Sequence, residues 1–122
     1  MTLVTDARDD LVVALESDLS VKVYPTPPPV PIAPCVVVGC GSPWMTPERL
    51  GGHLQMKVAW KVLVVVRDDA SHVPALEALV ETVLGALPDG YVCDSVGPPS
   101  SLDTGSQGTV QVAEILLSAR LI

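Results

Sequence analysis

The sequence predicts an α+β domain of two layers, a mixed and mostly antiparallel sheet of about five strands with two helices packed on one face. Three observations lead there. The segment MKVAWKVLVVV alternates with a period of two, two stretches near residues 2–17 and 74–87 place apolar residues at helical spacing, and most of the twelve Pro and nine Gly are gathered between such segments. At 122 residues the chain is the size of one domain, taken to span 1–122. Hydrophobic residues make up 48% but aromatics only 3%, with no Phe, so Val, Leu, Ala and Ile must build the core, a bias that favours sheet.

Thr2–Ser17 reads as an amphipathic helix with Leu3, Ala7, Leu11, Ala14 and Leu15 on its apolar stripe. Thr2 or Thr5 is placed to cap it, and Asp6 to face the helix dipole. Val21–Tyr24 is a short strand ended by Pro25. The segment PTPPPVPIAP (Pro25–Pro34) lacks amide donors at its prolines and is expected to be an extended connection. Cys35–Gly39 is a continuous apolar run, the mark of a covered or central strand. Gly41–Gln55 is expected to be a long loop.

Met56–Val66 carries the strongest strand signal. Val58, Trp60, Val62, Val64 and Val66 share one fully buried face, and the other face is expected to be apolar only towards the C-terminal end. Asp68–Ser71 offers helix caps, Pro74 suits a first turn, and Leu76, Leu79, Val80, Val83, Leu84 and Leu87 form a second helical stripe that Pro88-Asp89-Gly90 stops. Tyr91–Val96 is a strand, Gly97–Gly108 a loop, and Thr109–Leu121 a long last strand. Glu114 interrupts its apolar neighbours, which suggests a bulge or a subunit contact. Two helices cover one face of such a sheet, so apolar surface is left over and argues for oligomerisation.

Charge and chemistry narrow the function. Seven Lys and Arg against fourteen Asp and Glu give a net charge of −7, which opposes a sequence-independent grip on nucleic acid. The opening has no basic-then-apolar signal pattern, so Cys35, Cys40 and Cys93 are expected to be reduced thiols in a cytosolic protein. No apolar run approaches the roughly 20 residues that span a bilayer, and no membrane role is expected. Cys35 and Cys40, with a third Cys and the scattered His53 and His72, do not complete a zinc set. Gly39-Cys40-Gly41-Ser42 has neither phosphate-loop nor nucleophile-elbow spacing.

A hydrolytic triad of a histidine with Cys40 or Ser42 has only residue type in its favour. Asp68-Asp69 reads as capping rather than as a cation site. No catalytic residue, metal ligand or cofactor is assigned, and the chain is expected not to be an enzyme. Trp44 and Met45 in the Pro/Gly-rich loop, with Leu50, read as anchors for another protein, and the alternative, a lid over the domain's own core, stays open.

The opening TDARDDLVVALESDLSVKVYPTPPPVPIAPCVVVGCGSPWM, with its amphipathic helix, "VKVY" strand, Pro-rich link and strand ending in "VVVGCGSPW", resembles tail terminator proteins of long-tailed bacteriophages of the siphovirus type, especially those of actinobacteria. The later KVAWKVLVVV strand, acidic turn and PALEALVETVLGAL helix are similar too. The resemblance implies a homomeric ring, commonly a hexamer, on the head-proximal end of the virion tail, assembled in the host cytoplasm. Such a ring halts tube polymerisation and docks the tail tube protein on one side and head-completion or neck proteins on the other. Six copies at −7 sum to about −42, so DNA would pass through without specific binding. A neck connector or head-completion protein of the same virion is the alternative, followed by a small-molecule binding module or a cryptic hydrolase.

Overall fold

A computed structural model describes residues 3–28, 32–50, 53–103 and 108–121, with the backbone alone of 48–50, 53 and 54. The elements are α1 (Leu3–Asp18), β1 (Lys22–Tyr24), β2 (Cys35–Leu50), β3 (His53–Arg67), α2 (His72–Ala86), β4 (Tyr91–Val96), β5 (Ser100–Asp103) and β6 (Thr109–Leu121). The sheet order is β1-β2-β3-β6-β4, and β5 continues beside β6 on the edge that β4 occupies further along. Only the β1–β2 pair is parallel. The α+β class and the one-sided helical layer are as expected. The strand number is six rather than five.

Alternation in β3 sets the two faces. Val58, Trp60, Val62 and Val64 are fully buried, and they join Val36 and Val38 of β2 and Ile115 and Leu117 of β6 under the helices. From α1 come Val4, Ala7, Leu11, Val12 and Leu15. The expected stripe is therefore rotated: Leu3 is exposed, and Val4 and Val12 take up the core positions. Helix α2 supplies Leu76, Val83 and Ala86, with Leu79, Val80, Leu84 and Leu87 packed around them.

Helix α2 is not capped as the acidic pair suggested. Ser71 stands at the N-cap but makes no side-chain cap bond. Asp69 Oδ1 accepts from both the amide and the hydroxyl of Ser71 at 2.9 and 3.0 Å, and Asp68 Oδ1 accepts from Gln111 Nε2 at 3.1 Å. His72 Nδ1 lies 2.7 Å from the Asp69 carbonyl oxygen at the exposed start of the helix. At the other end Gly90, with φ of 91°, makes the turn into β4 that Pro88-Asp89-Gly90 foretold.

One aromatic pair ties three elements together. The rings of Trp60 (β3) and Tyr91 (β4) lie 5.4 Å apart, and the Tyr91 hydroxyl donates to the Ala7 carbonyl in α1. Burial, and secondarily the charge of Asp10, pushes the Tyr91 phenol up to about 12. The folded state thus favours the neutral phenol. Its contribution is full below the ordinary value of 10.0 and is lost as pH rises through about 12.

The opposite face of the sheet is partly covered. Cys35, Val37, Val65, Val110 and Val112 form a smaller buried cluster there with Ala33 of the Pro-rich link, flanked by Tyr24 and Leu63. The apolar second face of β3 is thus confined to its C-terminal end, as its pattern predicted. Cys35, Cys40 and Cys93 are free thiols: Cys35 is buried and its thiol pushed up to about 11 by burial, whereas Cys40 is exposed. No described helix is long and apolar enough to cross a membrane.

Candidate assembly surfaces

The segment Gly41–Gln55 is not the expected loop. It folds as the outer half of a hairpin, with Met45↔Val58 through Leu50↔His53 in antiparallel register. Its prolines are tolerated because, past the stretch facing β1, β2 has no described neighbour on its outer edge, and a strand edge does not need their amides. Among the described residues β6 pairs with β3 as far as Met56↔Leu121, and residues 47–50 and 53–55 pair with each other.

Between Cys40 and Met45 the register slips, and residues 41–44 bulge out opposite Ala59 alone. Gly41 permits this: a Cβ there would lie 2.7 Å from the Ala59 Cβ. The bulge presents Trp44, 40% exposed, with Met45 beside it at 36%. A cleft of about 160 Å3 opens between the bulge and the sheet face, lined by Ser42, Pro43, Thr46, Lys57, Asp94 and Ser118 among others. The Ser118 hydroxyl donates to Asp94 Oδ1 at 3.3 Å.

The proposed anchors thus separate. Trp44 and Met45 stand together at the root of the hairpin, whereas the side chain of Leu50, near its tip, lies outside the described residues. Glu114 sits elsewhere, on the open face of β6 opposite Leu63, where its carboxylate is 3.8 Å from Lys61 Nζ. Strand β6 pairs with β3 without interruption through Glu114. The bulge expected there is instead on β4, where Asp94 is the extra residue between Cys93↔Leu117 and Ser95↔Leu116.

The register also separates the residues of the imagined triad. Cys40 faces Trp60, with the backbone of His53 seven positions back along β3 and Arg67, just before the turn carrying His72, seven positions forward. Each interval is on the order of 20 Å. Among the described residues no three His, Cys, Asp or Glu side chains are grouped to hold a metal ion.

Sequence reading missed the distribution of charge. Alternation puts Lys22, Lys57, Lys61, Arg67 and Arg120 on the open face of the sheet, beside the second apolar cluster. Exposed carboxylates crowd the helical layer instead: five on α1 and Glu77 and Glu81 on α2. No protein-family model matches the chain, and no curated protein sequence matches it.

Proposed function

We propose that the chain is a virion structural protein, the ring-forming tail terminator of a long-tailed bacteriophage. It caps the head-proximal end of the tail tube, stops polymerisation and docks to the neck or head-completion proteins. The observation that carries this reading is the bulge at the root of the β2–β3 hairpin, which leaves Trp44 and Met45 exposed. Large apolar side chains left in water on a strand bulge are best explained by a seat on another chain. A closed ring gives every such bulge a neighbour, and its sum of charge lets DNA pass without adhering.

Support comes also from the element order on which the resemblance to tail terminators rests: helix, short strand, Pro-rich link, strand, later strand and helix. A small-molecule module is less well supported: the cleft beside the bulge, about 160 Å3, is small for a ligand site, and the larger hollow of about 460 Å3 beside Lys57, Val92 and Arg120 is more open to solvent than that cleft.

The test is to add the purified protein to growing tail tubes and measure their lengths by electron microscopy. A terminator halts elongation and appears as a density at one end. A protein that leaves tubes growing but binds a portal-bearing head is a neck connector instead.

A further inference from the structure

Charge in this domain is segregated by layer. Five of the seven basic residues project from the open sheet face, against Glu114 and Asp94, while the helical layer carries seven exposed carboxylates against Arg8. On the sheet face Lys57 lies directly opposite Arg120, which sets two basic residues side by side. Leu116, 37% exposed, lies opposite Lys61. On the helical layer Val13, 63% exposed, lies within one turn of Asp9, Asp10 and Glu16. Val13 is thus flanked by carboxylates, whereas Leu116 has Lys61 and its ion-pair partner Glu114 beside it, and the positive surplus of the sheet face comes from Lys22, Lys57, Arg67 and Arg120 around them.

We propose that the open sheet face docks onto the helical layer of a second copy of this chain, head to tail, with α1 of one copy set against β3 and β6 of the next. The interface is heterologous, and repeating it by rotation closes a ring, so the inference deepens the assembly reading above and rests on it. Complementary potentials fix its register and orientation. Leu116, and Val92 on β4, both exposed, give the sheet face an apolar content that suits a protein partner better than a phosphate backbone.

The test is a charge swap in the full chain. One variant carries Lys57→Glu with Lys61→Glu, the other Asp9→Lys with Glu16→Lys, and circular dichroism melting verifies that both fold. By light scattering the wild type assembles, each variant alone needs on the order of a hundredfold more protein to do so, and the two mixed assemble near the wild-type concentration. Raising salt from 0.05 to 0.5 M weakens wild-type assembly by about tenfold.

If both variants assemble alone as the wild type does, or the mixture stays apart, the docking mode is overturned while the ring stands. A wild type that is monomeric throughout overturns the assembly reading and this inference with it. If the wild type binds a labelled DNA duplex at physiological salt and the sheet-face variant loses that binding while still assembling, the basic face serves a polyanion and the inference fails.

Discussion

Truncating Trp44 and Met45 together to Ala is expected to leave the melting transition within about 1 kcal/mol of wild type while weakening assembly or tube attachment by on the order of a hundredfold. Both side chains are more than a third exposed, on a bulge that Gly41 allows to leave the sheet, so their loss opens no void in the main core. At an interface the same two residues are the type that dominates binding, one a rigid aromatic and the other an adaptable thioether. Circular dichroism melting and light scattering on the same preparation separate the outcomes. Unfolding of the double variant makes the pair a lid on the domain itself, and unimpaired assembly removes the bulge from the interface.

The largest effect on folding is expected at Trp60. It is fully buried, it contacts Tyr91, and through the Tyr91 hydroxyl it is linked to the Ala7 carbonyl in α1, so one side chain sets the distance between sheet and helix. Trp60→Ala should cost about 3–5 kcal/mol, a large share of a typical domain's stability. Trp60→Phe should cost well under half as much. It keeps most of the volume, and it removes Nε1, a buried donor that has no partner among the described residues. Urea unfolding of the three proteins tests the ordering. A Phe variant as unstable as the Ala variant would mean that the indole nitrogen is satisfied and that its bond matters more than the ring.

Much of this architecture is legible in the residues because it depends on period. Met56–Val66 alternates cleanly, Leu76 to Leu87 repeats at helical spacing, and Thr109–Leu121 is found at its full length. The failures share a physical cause. Prolines at 43 and 47 speak against a central strand, yet Pro43 lies in the bulge, and past β1 strand β2 has no described neighbour on its outer side, where a missing amide at Pro47 is tolerated. Strand β5, Ser-Ser-Leu-Asp, has no apolar pattern and is a strand because β6 offers it an edge.

The candidate surface was partly legible. Trp44 and Met45 are conspicuous as large apolar residues among Pro and Gly, and in the fold both are more than a third exposed. Glu114 looked like an irregularity in an apolar strand. In the sheet it is an ordinary outward position facing Lys61. The separation of charge between layers is invisible along the chain, because Lys22, Lys57, Lys61, Arg67 and Arg120 are scattered over three strands and meet only when the register is known.

On the proposed reading the domain is one segment of a closed ring. Size-exclusion chromatography with multi-angle light scattering tests it most directly. A hexamer predicts a single species of about 77 kDa, six times the 12.8 kDa chain, stable on dilution to micromolar protein at moderate salt. A single species at 12.8 kDa over the same range would contradict the account.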